Sequence, residues 1–283
     1  MIQIKNKNIV DTDQAWNTVY SRLEKDGLLT QQVHKRTSSR FLQIWIAAAV
    51  LLMIGSVSAL YFINTDSSAT KELVTLHNEK GAVTLVKTLE DGSIVYLADN
   101  TQLQYPEYFA SEKREVALQG NAMFNVTGNR ERPFLIETEQ VQIEVIGTAF
   151  HVKNAGSNDF ELGVESGKVK VTLKENGEFV YVTAGETVSM FAANSLKIKK
   201  TESLDPFSYY KNYKRFKDES LANILHVFNK ENDSIFLQTT PSLEDRQLTV
   251  TFSGHSPEEV AELICLALNL KYEKENNMLL ISD

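Results

Sequence analysis

Cysteine is nearly absent from this chain. Its single representative, Cys265, excludes an intramolecular disulfide framework. It sits in "ELICLALNL", an apolar helical pattern, and reads as a small buried side chain rather than a nucleophile. Catalytic signatures are missing too. There is no HExxH, no G-x-S-x-G, no GxxxxGK[ST] and no strand–GxGxxG–helix, and no SxxK serine-enzyme signature comes with its supporting pattern. The five histidines are scattered at positions 34, 77, 151, 226 and 255, without a local nucleophile or ligand cluster. No catalytic, cofactor-binding or metal-binding residue follows from this pattern, and no cofactor is expected.

Basic charge is in short supply where most of the chain lies. Residues 66–283 hold 22 Lys/Arg against 33 Asp/Glu, whereas residues 1–40 hold seven against four. An acidic body of this length argues against nucleic acid as a direct partner. Long low-complexity tracts are also lacking, and 283 residues suffice for more than one domain.

What is present begins with "FLQIWIAAAVLLMIGSVSALYFI", residues 41–63, which carries no formal charge. As a helix it would measure about 35 Å, enough for a hydrocarbon layer of roughly 30 Å. Trp45 and Tyr61 occupy interfacial anchor positions near its two ends, and His34, Lys35, Arg36 and Arg40 flank its N-terminal side. A cleaved signal peptide fits less well, because "SVSA" at 56–59 lies inside the apolar run. The expectation is a single-pass inner-membrane protein with residues 1–40 in the cytoplasm, a helix at 41–63 and the rest in the periplasm.

Within residues 1–40, "DTDQAWNTVYSRLEKDGLL" places Trp16, Val19, Tyr20 and Leu23 on one apolar helical face, with Asp11 or Thr12 as cap and Gly27 as terminator. So short a helix is marginal without a partner to cover it, which makes this face a candidate protein-binding surface. After a linker at 64–72, residues 73–200 read as repeated short strands and turns, with Asp91-Gly92, Ser166-Gly167 and Asn176-Gly177 between apolar-patterned segments. That pattern predicts an all-β domain, either a sandwich or a short β-helix-like coil.

A second linker at 201–213 leads to residues 214–283, where the grammar changes. Leu221, Ile224, Leu225 and Phe228 share a helical face before the strand "SIFLQ". In the second half, Ser256, Pro257 and Glu259 stand at N-cap, N1 and N3 of another helix. Two related strand–helix–strand halves predict a small α+β domain. Its last strand, with Met278, Leu279, Leu280 and Ile281, ends near the chain terminus and is a candidate edge for strand addition by a partner.

The stretch "EQVQIEVIGTAFHVKN", residues 139–154, poses a sharper question about His151. Val141, Ile143 and Val145 alternate with Gln142 and Glu144, Gly147 permits a bend or a close backbone contact, and Thr148, Phe150 and Val152 resume the alternation. His151 then reads as a strand residue. Asn125-Val126-Thr127 matches a glycosylation acceptor only formally, since it falls inside an expected strand.

The phrases "LEDGSIVYLADNTQLQYPEYF", "REVALQGNAMFNV", "RPFLIETEQVQIEVIGTAFHV" and "VESGKVKV…AGETV", in that order, resemble the FecR family of anti-sigma regulators of the Bacteroidetes type. Residues 214–283 resemble the STN-like domain often attached to that family. The resemblance implies a transmembrane regulator that relays a signal from the periplasmic signalling domain of an outer-membrane TonB-dependent transducer to a cytoplasmic extracytoplasmic-function sigma factor. It further implies intramembrane or envelope proteases as processors of the chain, and no enzymatic activity of its own.

Two other classes are weighed against this. A membrane-tethered periplasmic glycan-binding or envelope-interaction module would draw on Tyr96, Tyr105, Tyr108 and Phe109, provided those rings face outward. An envelope hydrolase would need scattered residues to converge in the fold.

Overall fold

Strand Ile94–Leu97 is buried at all four of its positions. A strand in a sheet with one wet face alternates, so burial on both sides requires a packed layer on each. Ile94 and Tyr96 enter one apolar core while Val95 and Leu97 enter another. These two cores organise the larger part of the protein.

The computed structural model describes residues 12–28, 45–46, 48–56, 58, 73–154, 160–191, 195–201, 205–232 and 234–283. The chain divides into two compact units, Met1–Ser68 and Ala69–Asp283.

In the first unit, α1 (Thr12–Lys25) has Asp13 in its first turn and Arg22 and Lys25 in its last, matching the helix dipole. It ends as expected at Gly27, whose φ of 67° lies in the left-handed region. The Leu28 amide donates to the Leu23 carbonyl at 3.0 Å, closing the terminus in a Schellman-type turn.

The membrane assignment is corrected here. Among the described residues, no helix is long and apolar enough to cross a membrane. Trp45 is described and exposed, whereas Tyr61 lies outside the described residues. The single-pass assignment, the inner-membrane localisation with termini on opposite sides, and the relay across the membrane all rested on that helix and fall with it.

In the second unit, a seven-stranded sheet runs β1 (Leu73–Asn78), β4 (Thr101–Pro106), β5 (Arg114–Gln119), β7 (Phe134–Glu137), β8 (Val141–Val145), β11 (Lys168–Leu173), β12 (Phe179–Thr183). A nine-stranded sheet runs β14 (Ser195–Lys200), β13 (Glu186–Phe191), β10 (Phe160–Ser166), β9 (Ala149–Asn154), β6 (Ala122–Asn125), β3 (Ile94–Leu97), β2 (Leu85–Thr88), β15 (Tyr213–Ser220), β17 (Gln247–Ser253). Most pairs are antiparallel; β5 with β7 and β2 with β15 are parallel.

The first core draws on both sheets, with Phe124 and Phe150 stacked at 5.4 Å and Phe134 edge-on to Phe124 at 6.3 Å. Each such fully buried ring contributes about 1.5–3 kcal/mol relative to exposure. The second core covers the opposite face of β2, β3 and β6 with α2 (Asp205–Asn212), α3 (Leu221–Glu231), α4 (Pro257–Leu268) and a small sheet of order β16 (Phe236–Thr239), β19 (Met278–Ser282), β18 (Lys271–Glu275).

The expected all-β domain followed by a separate α+β domain is therefore corrected to one mixed α/β unit. Phe216 of β15 pairs with Val86 of β2, so the nine-stranded sheet continues across the segment read as a linker. That segment contains α2, whose Phe207 and Tyr210 are buried in the second core. The two strand–helix–strand halves exist, but each is split: β15 and β17 lie in the large sheet, and β16 and β18 in the small one. Phe216 and Phe252, one from each half, meet edge-on at 6.1 Å, and Phe228 packs on both. Ser256 accepts from the Glu259 amide and the Glu259 carboxylate accepts from the Ser256 amide, completing the expected capping box.

Candidate functional site

On α1, Trp16, Val19 and Tyr20 are exposed and Leu23 is half-buried, and no residue of the helix is buried. The Trp16 and Tyr20 rings stand 6.5 Å apart, one turn from each other, as an i, i+4 pair should. The face read from the sequence is thus assembled on one short helix. It leaves the largest aromatic residue of that helix, Trp16, in solvent.

In the second unit, the family-like phrases converge on a buried polar network. Arg114 is 1 % exposed, and its Nη1 donates to Asp91 Oδ2 at 2.6 Å and to the Thr127 carbonyl at 2.8 Å. Its Nε donates to the Arg132 carbonyl and its Nη2 to that of Ile146. Asp91 also accepts from the Ser93 amide and hydroxyl, and Ser93 Oγ accepts from the Thr127 amide. Three separated loops are thereby tied to one guanidinium. A buried charge held by this many fixed partners positions backbone. Sequence reading missed Arg114; the only signal was an arginine opening a strand whose neighbours alternate cleanly.

His151 answers its question as architecture. Phe150 and Val152 enter the first core, while the imidazole turns to the opposite face and meets Phe207 edge-on at 4.9 Å. Its neighbour across the strand pair is Gly163, the one residue type small enough for the ring. His151 Nδ1 is buried without a hydrogen-bond partner. Burial lowers the imidazole pKa below its ordinary value; Glu161, 4.0 Å from Nε2, pulls upward and Lys153 pushes down. Gly147 serves the close contact that the sequence allowed, since a Cβ there would fall 2.5 Å from Gly128 Cα.

His226 and His255 do not join His151. His226 Nε2 lies 3.2 Å from the Gly92 carbonyl, and His255 Nδ1 accepts from the Ser253 amide at 2.9 Å. Cys265 is buried on α4, and burial raises its thiol pKa. Among the described residues, no group of three His, Cys, Asp or Glu side chains is placed to hold a metal ion.

The candidate docking strand is not an edge. β19 pairs with β16 on one side and β18 on the other, so the backbone of Met278, Leu279, Leu280 and Ile281 is already engaged. Leu279 and Ile281 are buried outright. The edges of that sheet are β16 and the charged strand Lys271–Glu275. The outward aromatic surface considered for glycans also fails to form, because Tyr96, Tyr105 and Phe109 are buried and only Tyr108 is exposed.

Comparison with known proteins adds the following. No curated protein matches this chain. Two crystal structures of a candidate anti-sigma factor from Parabacteroides distasonis each align at 22 % identity and a TM-score of 0.46. They cover 75 % and 74 % of this chain and 99 % and 98 % of their own. At that TM-score the likeness carries no argument. The family model for FecR protein matches residues 75–170, from within β1 to within β11, a span that contains Asp91, Arg114 and His151. Residues 75–170 therefore form a FecR-like domain.

Proposed function

We propose that this chain is a non-catalytic interaction module of the anti-sigma type, which binds a sigma factor through the apolar face of α1. The observation that carries the reading is the pairing of a FecR domain with a short helix that exposes Trp16, Val19 and Tyr20. A helix of 14 residues has little intrinsic stability, and covering its apolar face on a partner would supply what it lacks. Aromatic anchors of this kind concentrate binding energy in few residues. The earlier expectation of a relay from an outer-membrane transducer is not part of this reading, since no described helix crosses a membrane.

The test is co-purification and calorimetry of the full chain with an extracytoplasmic-function sigma factor of the same genome. A saturable complex that weakens on replacing Trp16 or Tyr20 supports the reading. A sigma factor that never binds, or binds equally well without those rings, ends it.

A further inference from the structure

The solvent face of the seven-stranded sheet carries a polar groove of ≈ 800 Å³ that the reading above does not use. Its floor follows from register. His77, Gln102 and Gln119 stand side by side across β1, β4 and β5, and Gln104, Ala117 and Glu137 form the next row across β4, β5 and β7. Ala117 is the depression: a methyl group between two long side chains leaves the sheet surface open. Among the described residues the amides of Gln102, Gln104 and Gln119 have no hydrogen-bond partner, so each keeps a carbonyl oxygen and an NH2 for a ligand. They are spaced about 5 Å across the strands and about 7 Å along them.

Three features select the ligand. β4, β5 and β7 beneath the groove each lie between two partner strands, so a ligand over Gln102, Gln104, Ala117 and Gln119 meets side chains and not free strand backbone. An amide both donates and accepts, which suits a hydroxyl group, itself both donor and acceptor. Charge on the lining disfavours anions: Lys80 is offset by Asp99 and Glu139, and Glu137 is held by Lys174 at 2.6 Å and by the Gln142 amide at 2.5 Å. We propose that this groove binds a neutral, hydroxyl-rich chain, an oligosaccharide, through Gln102, Gln104 and Gln119, with Ala117 providing the space.

The experiment is titration of the full chain, followed through glutamine side-chain amide NMR signals, with linear neutral glucan oligosaccharides and with uronic-acid oligomers as the charged counterpart. The neutral chains should shift the three glutamine signals. Ala117→Leu, which fills the groove from the solvent side, and Gln102→Leu with Gln119→Leu should each weaken binding at least about tenfold. Their unchanged thermal transitions would show that the fold is intact. No shift up to about 10 mM neutral sugar, equal or better binding of the uronic-acid chains, or full affinity in Ala117→Leu would each overturn the proposal. Sigma-factor binding by α1 is read separately and is unaffected by either result.

Discussion

A Cβ placed on Gly163 would stand 2.3 Å from His151 Cε1 and 2.9 Å from its Nδ1. The imidazole has no retreat, because Phe207 closes the other side. Gly163→Ala should therefore destabilise the protein by about 1–3 kcal/mol, the usual range for overpacking a tight interior. Urea denaturation checks this. Adding His151→Ala to Gly163→Ala should return part of the loss, giving a coupling that distant sites do not show.

The same histidine sets a pH dependence. Its native pKa is lowered by burial, so the unfolded chain takes up a proton that the native state refuses. Stability should be at full strength above the ordinary histidine pKa of about 6.5. It should fall as pH drops through that value, and level off below the depressed native one. Glu161 makes the drop smaller and Lys153 makes it larger. His151→Gln should flatten this part of the stability–pH curve, and an unchanged slope would show that another group sets it.

Asp91→Ala should cost about 3–5 kcal/mol, because it strands a guanidinium that is 1 % exposed. Arg114→Met paired with Asp91→Ala should cost less than Asp91→Ala alone, since no buried charge is then left without a partner. The contribution of the wild-type pair should also change little between low and high salt, as expected for a pair out of reach of counterions. Denaturation of the three variants at two ionic strengths measures all of this.

On α1, Trp16→Ala and Tyr20→Ala should each weaken sigma-factor binding by about 1–3 kcal/mol. Neither residue is buried, so the thermal transition of the isolated chain should stay where it is. A shifted transition with unchanged binding would assign those rings to folding instead.

Legibility followed range along the chain. The period-2 runs were right where one face is dry: β8 alternates between buried and half-buried just as Val141, Ile143 and Val145 suggested. The rule could not reveal β3, where every position is buried, because its second covering layer comes from residues more than a hundred positions later. Ser166-Gly167 looked like another hairpin turn. It joins β10 to β11, which belong to different sheets, so it is the corner where the chain changes layer.

By itself, the sequence determined the features that depend on neighbours in the chain. These are the apolar face of α1, its end at Gly27, the capping box at Ser256 and Glu259, the close approach at Gly147, and the FecR-like order of phrases. Tertiary structure decided which strand lies beside which. It joined β15 to β2 and so merged two expected domains, put β19 between two strands, buried Arg114 among three loops, and arranged three glutamines around Ala117. The reason is physical. Periodicity and capping are set by contacts within a few residues, whereas strand order and the burial of a second face are set by whichever distant segments remove the most apolar surface from water.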